Sequence, residues 1–342
     1  MRTLRFLTIV VMAVVGSLSL VAAESPSAFY QGKTVKLLVG TTTGGGYDLY
    51  ARMIAPALEK RLGARVIIEN RPGGSHMVAM NAVYSAPPDG LTTILASAEG
   101  SVLAKLLGEP GIRFDLKAFP IIARVNTAPR ILLVNPRLPY RTVRDIHTSG
   151  REITLGFAGT TDGGSDTGMI MCHALQLKCR AIIGYPSSKE FSLAAVKGEV
   201  DGTVLTDDSS VRFAENGDLR MIAVIGRQKS ELAPQVPTVF EAADISPENA
   251  WWLDLRDDVR KLGRIIMTTP GVPEDRVAYL QQVAMEVLTD HANMKEFAAR
   301  NMPVQYAGAD EMSAIIQRML GDEISEQRVR ELRRIILEKF YR

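Results

Sequence analysis

This chain has few metal-binding or aromatic residues and no excess of charge. Its 342 residues include two Cys, four His and two Trp, with 40 Lys and Arg against 38 Asp and Glu. The histidines show no metal-type spacing, and two cysteines are too few for a structural zinc site. Balanced charge lacks the basic excess typical of nucleic-acid-binding proteins. We therefore expect no metal, no cofactor and no nucleic-acid partner.

Long apolar runs are also missing after the first residues, which excludes a later membrane span. Residues 1–23 are typical of a secretory signal peptide. Arg2 and Arg5 form the positive region, Phe6–Val21 the apolar region, and Ala23 ends a small-residue cleavage site. An uncleaved N-terminal anchor is the alternative. The remaining chain is long enough for two α/β lobes with cores of their own.

The two cysteines, Cys172 and Cys179, are seven positions apart. On one continuous helix their Cα atoms would be about 10 Å apart, too far for a disulfide. An exported protein can form the bond if the helix ends near Leu175 and Cys179 opens the next strand. Two buried thiols are the alternative, and the pattern leaves the choice open.

Strand-like and helix-like runs alternate from residue 34 onward. Strands are predicted at Val35–Val39, Val66–Ile68 and Thr92–Leu95, with helices at Leu49–Leu62 and Met77–Tyr84 between them. Pro56 is expected to kink the first of these helices. This is a βαβαβ unit, for which we expect a parallel sheet with right-handed crossovers.

The same unit recurs in the second half of the chain. Strands are predicted at Ile153–Phe157, Ala181–Ile183 and Val204–Leu205, with helices at Met169–Leu175 and Phe191–Lys197. The fold class is therefore α/β, with two doubly wound lobes. We expect residues 121–135 to cross to the second lobe and residues 221–225 to cross back. This assigns residues 24–126 and 221–342 to lobe I and 127–220 to lobe II, joined by a two-crossing hinge.

A glycine-rich turn, Gly40–Asp48, joins the first predicted strand to the first helix. Unpaired N–H groups at such a helix start favour an anionic or polar ligand. The dinucleotide pattern G-x-G-x-x-G fails because Leu49 stands where glycine is needed, and the P-loop pattern fails because Gly46 replaces its lysine. A purely structural turn is the alternative. The segment Gly159–Asp166 is the counterpart in the second lobe.

The candidate ligand-binding residues lie in loops at the carboxyl ends of the predicted strands, where open α/β sheets bind ligands. They are Thr41, Thr42, Thr43, Gly44, Gly45, Gly46, Asp48, Ser97, Gly159, Thr160, Thr161, Tyr185, Ser187 and Asp207. Asp48 is interpreted either as a ligand contact or as a helix N-terminal residue, and Asp166 as a capping residue. Trp251 and Trp252 form a cleft wall or pack in the core.

Acidic residues outnumber basic ones on these loops, where Arg71 is the one arginine. The acids are Glu99, Asp162, Asp207 and Asp208. Four carboxylates disfavour an anionic ligand unless they face solvent at the rim. The other interpretation is a ligand with a positive group. Catalysis is not indicated, since Gly163–Thr167 misses the G-x-S-x-G pattern at Thr167.

Short motifs along the whole mature chain match one family in order and spacing. They are Tyr30–Thr34, Gly44–Asp48 with Ala51-Arg52, Asn70–Gly74, Ala86–Gly90, Gly198–Gly202, Val236–Glu241 and Pro270–Arg276. With them the chain resembles the receptors of tripartite tricarboxylate transporters. The resemblance implies a periplasmic, type II periplasmic binding protein, not an enzyme. Its ligand would be a small organic acid, held by loop backbone, hydroxyls and water, often without an arginine.

The resemblance also implies delivery of the ligand to a membrane permease, and we expect the receptor itself to be a monomer. An exported sensor that signals to a membrane kinase is the alternative. Three features depart from the family pattern: threonines at 41–43 where proline is usual, Pro186-Ser187 after Tyr185 where Lys-Gly is frequent, and an apparent insertion at 252–263.

Overall fold

The computed structural model describes residues 25–160, 162–321 and 324–341. The predicted signal peptide, residues 1–23, and the candidate residue Thr161 lie outside the described residues. Within those ranges, no helix combines the length and apolarity needed to cross a bilayer.

The structure alternates strands and helices along the chain. The strands are β1 Thr34–Val39, β2 Arg65–Asn70, β3 Thr92–Ser97, β4 Ile121–Asn126, β5 Arg130–Val134, β6 Ile153–Gly156, β7 Cys179–Ile182, β8 Gly202–Thr206, β9 Arg220–Ile225 and β10 Arg264–Thr268. The helices are α1 Pro26–Tyr30, α2 Gly46–Leu62, α3 Met77–Tyr84, α4 Ala98–Leu107, α5 Val143–Ser149, α6 Gly163–Ala174, α7 Ser188–Lys197, α8 Asp207–Glu215, α9 Val239–Ala242, α10 Pro247–Arg260, α11 Glu274–Thr289, α12 His291–Ala299, α13 Ala309–Met319 and α14 Glu326–Arg333. A short 3₁₀ turn, Leu116–Ala118, and a π-helical turn, Arg334–Glu338, complete them.

The strands form two five-stranded sheets, which confirms the predicted two-lobed α/β fold. Their orders are β2-β1-β3-β10-β4 and β7-β6-β8-β5-β9. Within each, the three strands of the predicted βαβαβ unit are parallel. The sheets as wholes are mixed, because β10 and β5 run antiparallel to both of their neighbours. The chain enters each of these two strands from the other lobe, so their direction cannot be predicted from the local sequence pattern.

The chain passes to the second sheet within the predicted segment 121–135, but the predicted return segment 221–225 is itself a strand of the second sheet. Residues 127–129 connect β4 of the first sheet to β5 of the second. The strand β9 still belongs to the second sheet, so that sheet extends past the expected boundary at 220/221. The C-terminal segment also joins this lobe, since the Phe340 carbonyl accepts the Ala181 N–H at 2.8 Å. The exact lobe limits stay a prediction.

Helix α6 illustrates how small residues position the cleft. A Cβ on Gly164 would lie 2.4 Å from the Val204 carbonyl oxygen, and one on Gly168 would lie 3.1 Å from the Phe157 ring. Only glycine therefore lets α6 lie this close to β8. This contact brings the first turn of α6 to the carboxyl end of the sheet. In the first lobe, α2 continues through Pro56 to Leu62.

The cysteine pair meets the geometric condition for a disulfide. Helix α6 ends at Ala174, Cys179 opens β7, and the Cα atoms of Cys172 and Cys179 lie 6.3 Å apart. The two residues are disulfide-bonded, so the alternative of two free thiols is wrong.

Candidate functional site

A cavity of about 240 Å³ lies between the lobes, at the carboxyl ends of both sets of parallel strands. This is smaller than the usual range for drug-sized ligands, which indicates a small solute. From the first lobe it is lined by Thr41, Gly46, Tyr47, Ser75, His76 and Arg264, among others. From the second lobe it is lined by Arg130, Asp162, Gly163, Tyr185, Ser187 and Ser209, among others.

Four of the candidate ligand-binding residues line this cavity: Thr41, Gly46, Tyr185 and Ser187. Gly46 is the first residue of α2, and Ser187 caps α7 by accepting the Lys189 N–H. The Thr41 hydroxyl is buried without a hydrogen-bond partner among the described residues. Such a group costs free energy unless a ligand or water supplies the partner.

Three other candidates hold the two lobes against each other. Thr42 donates to Ser187 Oγ at 2.8 Å and also contacts Glu190. Thr160 donates to the Glu109 carboxylate from the opposite lobe. Gly159 packs against Ser75, where a Cβ would come within 2.5 Å of the Ser75 hydroxyl oxygen. These contacts surround the cavity and describe a closed cleft.

Asp48 serves the turn that carries the cavity residues. Its carboxylate accepts hydrogen bonds from the Gly44 N–H at 2.8 Å, from Asn70 at 2.9 Å and from Arg52 at 3.0 Å. Burial would raise the pKa of Asp48, but these hydrogen bonds outweigh it and lower that pKa. The Asp48 side chain does not line the cavity. Its contacts fit the interpretation as a helix N-terminal residue and not as a ligand contact.

The remaining candidates lie outside the cavity lining. Thr43 and Gly44 are exposed, Gly45 caps α2 through its backbone, Ser97 caps α4 by accepting the Gly100 N–H, and Asp207 accepts the Ser230 hydroxyl at 2.6 Å. Trp251 and Trp252 are also outside it. Trp252 is buried against His173, which is the core-packing interpretation.

Two arginines that are absent from the candidate loops line the cavity. They are Arg130 and Arg264. They are the first residues of β5 and β10. The antiparallel direction of these two strands cannot be predicted from local periodicity. Arg71, the one arginine on the candidate loops, is half exposed and pairs with Glu69. An arginine that begins a short, mainly apolar run was the available signal. Its meaning depends on the non-local pairing of that strand.

Both arginines form ion pairs across the cleft. Arg130 Nη2, from the second sheet, lies 3.0 Å from Glu99 Oε2 of the first lobe. Arg264 Nη2, from the first sheet, lies 3.3 Å from Asp208 Oδ2 of the second lobe. The Arg264 guanidinium also stacks 4.4 Å from the centre of the Tyr50 ring and donates to Asn126. All four charged groups are buried.

Glu99 belongs to a larger buried network. It also accepts from Arg256 of α10 at 2.6 Å, and Arg256 pairs with Asp166 of α6. Burial opposes ionisation of Glu99, but Arg130 and Arg256 together lower its pKa to about 2. For Asp166 burial prevails over the attraction of Arg256 and raises the pKa to about 6. Arg256 lies in the segment 252–263, which the resemblance interprets as an insertion.

The expectation that the acidic loop residues face solvent at the rim is wrong. Glu99 is 3 % exposed and Asp208 is 1 % exposed, and arginines neutralise both. Asp207 is buried as well, and burial raises its pKa to about 6. Asp162 lines the cavity with a buried oxygen that has no partner in the described part of the chain, and burial raises its pKa.

His76 lies at the start of α3 and lines the cavity. Its ring packs edge-on to Tyr47, with 4.4 Å between centroids, and Nδ1 finds no partner within the described ranges. Burial, aided by the charge of Arg264, lowers its pKa to about 4, so the ring is neutral at pH 7. A Cβ on Gly40 would come within 2.6 Å of His76, so glycine is required there.

The described residues hold no group of three His, Cys, Asp or Glu side chains arranged to bind a metal ion. The site offers backbone N–H groups of two helix starts, hydroxyls, a neutral imidazole and two guanidinium groups, together with the carboxyl of Asp162. This donor-rich set suits a small anion.

Comparison with known proteins gives consistent similarities. A sequence model described as the Tripartite tricarboxylate transporter family receptor matches residues 50–320. Protein BugT of Bordetella pertussis is 23% identical over 310 residues, covering 89% of this chain and 90% of BugT. A UPF0065 protein of the same species is 28% identical over 247 residues, covering 68% of this chain and 73% of that protein.

Solved structures share the fold. MatC from Rhodopseudomonas palustris with bound malate has a TM-score of 0.72 at 20% identity, covering 88% of this chain and 99% of MatC. The R. palustris protein Rpa4515 with adipate has a TM-score of 0.74 at 21% identity, covering 88% and 97%. The periplasmic binding protein BugD has a TM-score of 0.72 at 18% identity, covering 90% and 98%.

Proposed function

This chain belongs to the tripartite tricarboxylate transporter receptor family, a family of solute-binding receptors, and from that premise we propose its particular task. It captures a small organic carboxylate in the cavity between its lobes. It works in the periplasm, after export through the signal peptide at residues 1–23, and delivers the ligand to the membrane permease of the transporter. Closure of the lobes around the ligand is the binding step.

The donor set of the interlobe cavity is the observation that carries this proposal. The first residues of α2 and α6 line a space of about 240 Å³, and their N–H groups have no partners within the helices. The unpartnered Thr41 hydroxyl and two buried guanidiniums add further donors, whereas the Ser187 hydroxyl already donates to Glu190. Structural neighbours carry malate and adipate, both small carboxylates.

The candidate residues divide into two proposed roles. Thr41, Gly46, Tyr185 and Ser187 contact the ligand, because they line the cavity. Thr42, Gly159 and Thr160 act in closure, because they contact the opposite lobe. Gly45 and Asp48 shape the turn that carries Thr41 and Gly46.

Thermal unfolding of the mature protein with a panel of mono-, di- and tricarboxylates tests the ligand class. We expect one or a few of them to raise the melting temperature, since a ligand stabilises the form that it binds. Stabilisation by cationic solutes and by no carboxylate would contradict the proposal. Uptake of the stabilising carboxylate by cells that hold the permease should require this receptor, which tests delivery.

The variant Gly45→Val tests the cleft itself. Its side chain would meet Thr41 and Thr42 of its own turn and Ser187 across the cleft, because even a Cβ lies 3.2 Å from the Thr41 hydroxyl oxygen and 3.4 Å from the Ser187 hydroxyl oxygen. We expect loss of ligand-induced stabilisation with the fold retained. The control Gly308→Val lies before α13, where the nearest atom to a Cβ is the Tyr306 hydroxyl oxygen at 3.6 Å, an ordinary van der Waals contact. Equal ligand response in both variants would show that the turn at 40–48 takes no part in binding.

A further inference from the structure

Arg130 and Arg264 occupy equivalent positions in the two lobes. Each is the first residue of the strand that returns antiparallel into its sheet. Arg130 is registered with Thr206, which precedes α8, and Arg264 is registered with Ser97, which precedes α4. The two guanidiniums therefore start from matching points at the floor of the cleft.

Their acidic partners are equivalent as well. Glu99 is the second residue of α4, and Asp208 is the second residue of α8. Each arginine pairs with the acid of the opposite lobe, Arg130 with Glu99 and Arg264 with Asp208. The closed cleft thus holds a reciprocal pair of ion pairs, one guanidinium contributed by each lobe. Both guanidiniums line the cavity.

These ion pairs leave hydrogen-bonding capacity unused. A guanidinium has five N–H donors. The Nε atoms of Arg130 and Arg264 are buried, and among residues 25–160, 162–321 and 324–341 neither has a partner. Arg130 is 7 % exposed and Arg264 is 4 % exposed, so bulk water has little access to these unpaired N–H donors. A buried charged group with unmet donors is ready for an anion.

Each guanidinium also lies beside a helix start. A Cβ on Gly163, the first residue of α6, would overlap Arg130 Nη2, and one on Gly46, the first residue of α2, would lie 3.6 Å from Arg264 Nη2. The positive end of each helix and one guanidinium therefore act on the same part of the cavity. The cavity has two such positive poles, one per lobe.

Acids stand beside both poles. Glu99 pairs with Arg130 and Asp208 pairs with Arg264, and although burial would raise the pKa of each carboxyl, its arginine partner lowers it. Burial raises the pKa of Asp162, and it raises that of Asp166 to about 6. Both carboxyls are therefore easier to protonate than an exposed aspartate when an anion enters the cleft.

We propose that Arg130 and Arg264 are the specificity-determining residues of this receptor and act as a pair, each holding one of two carboxylates on the same ligand. This rests on the proposed function and adds the basis of selection. A ligand with one carboxylate satisfies one pole and leaves the other without its anion. Neutral loop donors alone would not make this distinction.

Titration calorimetry at pH 7.5 tests the pair with ligands matched in carbon number. The probes are the dicarboxylates from malonate to adipate, each compared with its monocarboxylate, such as succinate with butyrate and adipate with hexanoate. We expect the best dicarboxylate to bind roughly 10- to 100-fold more tightly than its monocarboxylate, the range of one charge-assisted contact. Arg130→Gln and Arg264→Gln should each reduce that ratio toward one.

Arg256→Gln is the matched control. Arg256 is buried and shares Glu99 with Arg130, but it does not line the cavity. It should preserve the preference for two carboxylates even where stability falls. Arg130→Lys keeps the charge and should keep part of the ratio. Circular dichroism at the assay temperature establishes that each variant is folded. The ratio of dicarboxylate to monocarboxylate affinity in the wild-type protein tests the proposal even if a variant does not fold.

The results separate this inference from the proposed function. A wild-type protein that binds butyrate as tightly as succinate, or glutamine variants with an unchanged ratio, would overturn the paired role and leave carboxylate capture standing. Binding of no carboxylate of either class would overturn both. A ratio lost equally in Arg256→Gln would show that distant charge, and not contact in the cavity, makes the selection, which also overturns the paired role.

Discussion

Thr42 and Ser187 are joined across the cleft by a hydrogen bond of 2.8 Å between their hydroxyl groups. The first belongs to the turn before α2 and the second caps α7 of the other lobe. The bond exists only when the lobes are together, so it contributes to the closed state and not to the stability of either lobe. Ligand affinity depends on that closed state.

Thr42→Val should therefore weaken ligand binding by roughly three- to tenfold, the value of one hydrogen bond of about 1 kcal/mol. The unfolding midpoint of the unliganded protein should barely change. Calorimetry measures the affinity, and small-angle scattering measures the radius of gyration. Thr43→Val is the control, because Thr43 is exposed and its one hydrogen bond, at 3.4 Å, goes to Asn70 of the same lobe. Equal affinities in both variants would contradict a role in closure.

Glu99→Gln should destabilise the protein strongly. The change leaves Arg130 and Arg256 buried without their shared carboxylate, and removing one partner of a buried pair costs about 3–5 kcal/mol. Urea unfolding measures the loss. Glu311→Gln is the control, since Glu311 pairs with Arg124 but is mostly exposed, and such a pair contributes about 0–1 kcal/mol. A loss as small as that of the control would mean that the network is not needed for folding.

His76 should make stability depend on pH. Its pKa is lowered to about 4 in the folded state, so between about pH 6.5 and pH 4 the unfolded chain binds the extra proton. The stability present above pH 6.5 is therefore lost as the pH falls through this interval. Asp166 and Asp207, whose pKa values are raised to about 6, act in the opposite direction. A direct melting curve thus combines both effects.

Comparison with His76→Gln isolates the histidine, because the aspartates are common to both proteins. We expect the melting temperature of the wild type to fall more than that of the variant between pH 7.5 and pH 5. The exposed His147→Gln should follow the wild type. Parallel melting curves for the wild type and His76→Gln would mean that His76 is protonated as readily in the folded protein as in the unfolded chain.

Replacing both cysteines by alanine should lower the free energy of unfolding by about 2 kcal/mol, the loop-closure value for so short a loop. Reduction of the wild type should have a similar effect. Ligand affinity should be unchanged, because Cys172 lies nine residues along α6 from Gly163, roughly 14 Å from the cavity end of the helix. A variant as stable as the oxidised wild type would show that the bond is dispensable, and altered affinity would show that it positions α6.

Much of the fold follows from local pattern. The alternation of apolar strands and amphipathic helices predicted both βαβαβ units, and the parallel pairing within each is confirmed. Two glycine-rich turns marked the starts of α2 and α6, since helix starts have local signatures. The disulfide could not be decided, because it depends on where α6 ends, and helix ends are the least local part of such a prediction.

The site was predicted less completely. Thr41, Gly46, Tyr185 and Ser187 lie at the carboxyl ends of parallel strands, where a general rule places ligands. Thr42 and Thr160 lie on the same loops but contact the opposite lobe. The sequence pattern does not show which loop residues face the cavity and which face the other lobe. The acidic residues Glu99 and Asp208 were misplaced at the rim because their arginine partners are distant in sequence.

The sequence by itself determined the two α/β lobes, the glycine turns between strand and helix, and the family, because each depends on short-range periodicity and motif order. The tertiary structure decided which donors meet in the cavity. Arg130 reaches Glu99 and Arg264 reaches Asp208 only because β5 and β10 return antiparallel into their sheets and the lobes close on each other. Those contacts join residues 31 and 56 positions apart. Hydrophobic packing of whole lobes, and no local preference, brings them together.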